Sequence, residues 1–195
     1  RTKVAKVVAQ HDNKHPEYSL VHAVDPAVHD VINSVRKDFS KIKHLVLIGI
    51  GGSNLGTEAV HQLLGEKKVQ LHSLDTIAPY QVEELLKNLK RVKKVEQVAV
   101  CVISKSGGTA ETMINAGVVL EALEAQLGKK IYKQMIFIGN PGTAFQKAAK
   151  KMGGRAIAMP SIVGGRYSVG TEVGLVPLAL LGHNTDSFIE GLLDA

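Results

Sequence analysis

Two short stretches of this chain concentrate groups that bind anions. Gly49-Ile50-Gly51-Gly52-Ser53-Asn54 follows the apolar run 44–48, and Ser104-Lys105-Ser106-Gly107-Gly108-Thr109 follows the apolar run 98–103. A strand that ends in small residues and opens a helix gathers unpaired backbone N–H groups and the positive end of a helix dipole. In the first stretch, Gly51 and Gly52 let a ligand approach the backbone, and Ser53 offers a hydroxyl both as a helix cap and as an anion donor. The second combines hydroxyls from Ser104, Ser106 and Thr109, backbone N–H groups at Gly107 and Gly108, and the Lys105 ammonium. Thr109 also reads as the N-cap of the helix that follows, a role compatible with binding. Hydrogen bonds to a charged group contribute roughly 1.5–3 kcal/mol each, so four or five of them hold a phosphate dianion.

Other chemistries fail on spacing. A dinucleotide G-x-G-x-x-G from Gly49 needs glycine where Asn54 stands, and a P-loop from Gly51 reaches Gly56 but then has Thr57 in place of lysine. Ser53 and Ser104 lack the G-x-S-x-G elbow of a nucleophilic serine. His11 and His15 have i, i+4 spacing, but no cysteine or acidic cluster completes a metal site. No metal is expected, and the eight histidines read as surface or packing residues.

The elements that must carry the two turns alternate regularly. Apolar runs 44–50, 69–74, 98–103, 131–138 and 156–159 alternate with helix-like segments 26–42, 54–64, 79–89, 109–127 and 143–152. The fold class is therefore α/β, a doubly wound five-stranded parallel sheet flanked by helices. Runs 45–50, 98–103 and 135–138 are nearly continuous in apolar residues, as inner strands are. Gln70 and His72 interrupt 69–74, which suits an outer strand. Asp25-Pro26 supplies a cap and a first helical proline. Residues 1–24 read as an N-terminal extension, 25–160 as the phosphate-binding domain, and 161–195 as the start of a connection to a further domain. That last part holds the glycine loop Gly164-Gly165-Arg166-Tyr167-Ser168, an apolar helix to Leu181, and a capped start at Thr185.

Length, composition and charge narrow the class. At 195 residues the chain buries one sizeable core, and its 45% apolar and 22% charged residues are ordinary for a globular protein. No apolar run approaches the ~18 residues of a membrane helix. The single cysteine, Cys101, lies inside an apolar run, so the expected setting is a reducing cytoplasm. The net charge of +6 favours an anionic ligand. Lysines in 87–94 and 147–151 read as solvated helix faces, and the few aromatics do not cluster, so no nucleic-acid partner is expected. Arg1 is not an initiator methionine, and the chain reads as a piece of something longer.

In order and spacing, the first turn through Gly56, the second through Glu111-Thr112, and the loop 164–168 resemble the glucose-6-phosphate isomerase family. The likeness spans about Asp25 to the chain end and is similar to that family's N-terminal half, a flavodoxin-like sugar isomerase (SIS) domain. It implies aldose–ketose isomerisation of glucose 6-phosphate and fructose 6-phosphate through an enediol, without metal or organic cofactor, in a cytoplasmic homodimer. Residue by residue, it implies that Gly52, Ser53 and Ser104, Lys105, Ser106, Gly107, Gly108 and Thr109 bind the substrate phosphate. Glu111 is then a supporting acid behind the second loop, and Arg166 stabilises charge on the enediol. The sequence departs at Gly108, where a second threonine is common, and at Glu172, read as a surface residue of the next helix. The family's general-base glutamate, ring-opening histidine and late lysine match nothing here and belong to segments beyond Ala195. Two alternatives stay open: a non-catalytic SIS module that senses a sugar phosphate, and another sugar-phosphate isomerase.

Overall fold

The alternation of strands and helices is present in the computed structural model, which describes residues 6, 7, 10, 14, 15, 18, 22–65 and 67–194. In chain order, α1 (Pro26–Asp38), β1 (His44–Ile48), α2 (Leu55–Leu64), β2 (Gln70–Leu74) and α3 (Pro79–Leu89) lead to β3 (Val98–Ile103) and α4 (Ala110–Leu127). Then come β4 (Met135–Gly139), α5 (Ala144–Lys151), β5 (Arg155–Ala158), α6 (Glu172–Leu181) and α7 (Thr185–Asp194). The strands are parallel in the order β2-β1-β3-β4-β5. The order reverses between β1 and β3, so a crevice opens at their C-terminal ends. Ile48 pairs with Val102, which brings the two glycine-rich turns out of the sheet at nearly the same level.

Side chains of the inner strands alternate between two cores. Val46, Ile48, Val100 and Val102 pack with Leu85, Leu120 and Ala149 of α3, α4 and α5. Leu45, Leu47, Ala99, Cys101 and Ile103 pack with Val35 of α1 and with Val176 and Leu180 of α6. Coverage on both faces is why these runs are continuously apolar. Cys101 is fully buried, and burial pushes its thiol far above the ordinary range, so it is a packing residue. β2 lies at the sheet edge with Gln70 exposed, as its broken pattern predicts.

The boundaries differ where apolar residues continue past an element. Asp25 caps α1 as expected, its carboxylate accepting from the Ala27 N–H at 2.9 Å, but the helix ends at Asp38 instead of residue 42. Phe39 and Ile42 are buried by the turn that follows. In 131–138 the first part is a 3-10 helix, Lys129–Gln134, which buries Ile131 before β4 begins. Of the His11 and His15 pair, His11 lies outside the described residues. α3 ends at Leu89, so Lys90 to Lys94 occupy a connecting segment and not a helix face.

Glu172 is the clearest correction. All ten residues of α6 are buried, so the helix has no surface face on which a glutamate can sit. The Thr171 hydroxyl accepts from the Val173 N–H, and the Glu172 carboxylate meets His22 Nε2 at 3.0 Å. At the other end of α6, His183 Nε2 lies 2.7 Å from His61 Nδ1 of α2, and Arg36 of α1 donates to the His183 carbonyl and the Thr185 hydroxyl.

A second histidine pair makes the sheet edge acid-sensitive. His44 Nδ1 and His72 Nε2 are 3.2 Å apart with their rings stacked, an arrangement that needs one donor and one acceptor. Burial, and then the neighbouring His44, depress His72 from 6.5 to about 4; burial and Lys43 lower His44. Because the folded-state values lie below those of the unfolded chain, the contribution is present above pH ~6.5 and is lost as pH falls through about 4. His72→Gln keeps an amide bond without a titrating ring, so melting curves of the variant are expected to lose less midpoint between pH 7 and 4 than the parent. With solvent screening at this part-exposed edge the difference is on the order of 1 kcal/mol. Parallel pH profiles would refute it.

Candidate functional site

The first turn is built by a 3-10 helix over Gly51–Ser53. Asn54, and not Ser53, stands at the cap of α2. Its amide reaches away, donating to the Ser73 hydroxyl at 2.8 Å and towards the Leu74 carbonyl at 3.4 Å. The extra 3-10 turn displaces Ser53 from the capping position, so the Ser53 hydroxyl has no partner among the described residues and borders the crevice.

The second turn is organised from within. Ser104 is buried; its Oγ accepts from the Gly107 N–H at 3.1 Å and lies 3.3 Å from Thr109 Oγ1. Ser106 Oγ accepts from the Gly108 N–H at 3.2 Å. Gly107 has φ +69°, and a Cβ there would lie 2.3 Å from Phe145 Cβ, so the position requires glycine. Thr109 is the N-cap residue of α4 as expected, but its hydroxyl makes no capping bond and turns towards Ser104. Ser104 N–H donates to the Ile138 carbonyl, and Asn140 N–H to the Lys105 carbonyl, so β4 fixes the loop.

The Arg166 loop is docked on both turns. Gly165–Tyr167 forms a 3-10 helix that rests against Gly52, where an added Cβ would lie 2.3 Å from the Gly165 carbonyl carbon. Ser168 is fully buried, and its hydroxyl sits 2.6 Å from the Gly165 carbonyl and 3.3 Å from that of Gly52. From the second turn, Lys105 Nζ donates to the Val163 carbonyl at 3.0 Å. These contacts join segments more than fifty residues apart into one rim.

Between the turns lies a cleft of about 370 Å³ lined by Ser53, Ser104, Lys105, Ser106 and Thr109, with Ile50 and Ile103 as apolar walls. Of the expected residues, Gly52, Gly107 and Gly108 shape the backbone around it without lining it. Arg166 is exposed on the adjoining loop, and Glu111 is exposed on the first turn of α4. Thr112 and Asn140 also line the cleft, and sequence reading missed both. Thr112 Oγ1 and Asn140 Oδ1 are buried without a partner. Asn140 follows β4 directly, and a polar residue at the C-terminal end of an inner strand was the signal available for it. Among the described residues no group of three or more His, Cys, Asp or Glu side chains is placed to hold a metal.

The cleft at the reversal point, with its hydroxyls, backbone turns and one ammonium, defines a parallel α/β protein with a crevice whose lining has the chemistry to accept a small anion. The sequence profile described as Phosphoglucose isomerase matches residues 5–194. A relative named glucose-6-phosphate isomerase from Thermus thermophilus is 38% identical over 151 residues, covering 77% of this chain and 35% of its own. One of the same name from Carboxydothermus hydrogenoformans is 32% identical over 186 residues, covering 89% and 39%. Among solved structures, a hypothetical protein from Thermus thermophilus superposes with a TM-score of 0.74 at 34% identity, covering 89% of this chain and 42% of that one. A glucose-6-phosphate isomerase from Chlamydia trachomatis gives 0.73 at 24% identity over 90% and 33%, a likeness of fold. The chain belongs to the phosphoglucose isomerase family. It spans about two-fifths, or less, of the length of these relatives.

Proposed function

We propose that the cleft binds the phosphate of a hexose phosphate, and that the protein carrying this chain interconverts glucose 6-phosphate and fructose 6-phosphate. The observation that carries this reading is the convergence of Ser53, Ser104, Lys105, Ser106 and Thr109 on one cleft with the Arg166 loop held beside it. The names of the relatives support the substrate.

The reaction moves a proton between C2 and C1 of the open-chain sugar, and negative charge builds on oxygen as it does so. A guanidinium at the cleft rim stabilises that charge more in the transition state than in the substrate, and so raises the rate. The phosphate, held by hydroxyls and the Lys105 ammonium, fixes the sugar relative to Arg166. Among the described residues no carboxylate lines the cleft, so the base that takes the C2 proton has to approach from outside it. Homodimeric assembly and a cytoplasmic location belong to the same proposal; no helix of the described residues is long and apolar enough to cross a membrane.

Calorimetric titration of the full-length protein tests the binding step. Fructose 6-phosphate is expected to saturate and unphosphorylated fructose is not. Ser104→Ala is expected to weaken the phosphorylated ligand about 10- to 100-fold through loss of a hydrogen bond to charge. Equal binding of both sugars, or unchanged affinity in the variant, would refute the assignment.

A further inference from the structure

The edge of the sheet opposite the cleft carries a different chemistry. In a parallel sheet, the segments that enter the strands all lie along one edge. The segments 37–43, 65–69, 90–97, 128–134 and 150–155 together hold fifteen lysines and arginines against three acids, Asp38, Glu66 and Glu96. Asp38 is held by Arg155 at 2.6 Å. In spatial order across the sheet, Lys68, Lys43, Lys94, Lys133 and Lys151 each precede a strand, and all five are exposed and make no ion pair among the described residues. The loops are in register: Lys43 N–H donates to the Gln97 carbonyl, and Gln70 N–H to that of Lys43, both at 2.8 Å. Five strands about 4.8 Å apart make this edge of the sheet roughly 19 Å wide.

Helix dipoles explain part of this charge. Lys37, Lys150 and Lys151 occupy last helical turns, where a positive charge complements the carbonyl end. Lys43, Lys67, Lys68, Lys93 and Lys94 lie beyond the helices, where that explanation does not reach. Like charges gathered on one edge repel one another, and a row of anions relieves the repulsion.

Against the expectation from the sequence alone, where these lysines are scattered, we propose that this edge docks the phosphate backbone of a nucleic acid duplex. A duplex presents one charge per ~1.7 Å of its axis, a row that lysines spread along one edge meet at several points. Aromatic platforms for unstacked bases are missing among the described residues of these segments. Phe39 is buried, and Tyr132 is half-buried with its hydroxyl on Glu124. The contact is therefore with backbone and indifferent to sequence. The large apolar side chains exposed beside the edge, Leu63 and Leu64 at the end of α2 and Met152 just after α5, belong to different helices and do not form the continuous apolar wedge of a bilayer contact. This surface is independent of the hexose phosphate reading, since the cleft lies at the other end of the strands.

The test is a salt titration of the full-length protein with a 20-base-pair duplex, in one DNA and one RNA arm. About five phosphate contacts give a slope of log affinity on log salt near −4 to −5, and a micromolar or weaker dissociation constant at physiological salt. Lys93→Gln with Lys94→Gln, or Lys67→Gln with Lys68→Gln, is expected to reduce the slope by about 1–2, with fructose 6-phosphate binding unchanged. Lys147→Gln on α5 serves as the control. No duplex binding at 50 mM salt, a slope unmoved by either pair, or binding to anionic vesicles in preference to both duplexes would each overturn the proposal.

Discussion

Gly52→Ala is expected to lower kcat/KM of the full-length protein by at least ~100-fold while leaving the sheet folded. A Cβ at this position would lie 2.3 Å from the Gly165 carbonyl carbon and 2.4 Å from its oxygen. Both are backbone atoms, so no side chain can swing aside. The Arg166 loop has to move away from the first turn, and the Ser168 hydroxyl loses its reach to the Gly52 carbonyl. A displacement of about 1 Å of a group that stabilises charge costs on the order of 100-fold in rate. The overpacking itself costs about 1–3 kcal/mol of stability, or several degrees of melting midpoint for a chain of this size. Steady-state kinetics beside a thermal melt separates the two effects. A variant with parental kcat/KM would mean that the contact between the turns does not set the Arg166 loop.

Arg166→Ala is expected to act on kcat and hardly at all on stability. The side chain is exposed and makes no hydrogen bond or ion pair among the described residues, so its removal leaves no buried partner unsatisfied. Removing one preorganised donor to a developing oxyanion costs about 10²- to 10³-fold in kcat. KM is expected to change several-fold at most, because the phosphate is held by the other turns. Arg166→Lys keeps the charge but not the planar fork, and should recover only part of the loss. If the alanine variant instead raises KM with kcat intact, Arg166 is a binding residue and the charge-stabilising role is wrong.

Both turns were readable in the sequence in their place along the chain because their information is local, although the 3-10 helix that moves the cap from Ser53 to Asn54 was not. Glycines, hydroxyls and a cap residue within six positions, between an apolar run and a helix, specify the geometry that Gly107 and Ser104 adopt. The fold was readable because the continuous apolar runs of β1, β3 and β4 differ from the interrupted run of β2. What was not readable depends on long-range pairing. Ser168 to Gly52 and Lys105 to Val163 join segments that nothing in the local pattern relates. Glu172 carries the composition of a surface residue and is buried because every side of α6 is covered. The lysines preceding the five strands are scattered along the sequence and become one edge only once the strands align.

The wholly buried α6 has a consequence for how the chain is made. It completes the core that Leu45, Leu47 and Ile103 begin, yet it lies well over sixty residues after β3. At roughly 5–20 residues per second of synthesis, β1 and β3 leave the ribosome several seconds before their cover does. During that interval α1 and α2 are the helices among the described residues that can shield that face of the sheet. A slow stretch of translation between β5 and α6 would lengthen the exposure and should raise aggregation of the nascent chain without altering a single native contact.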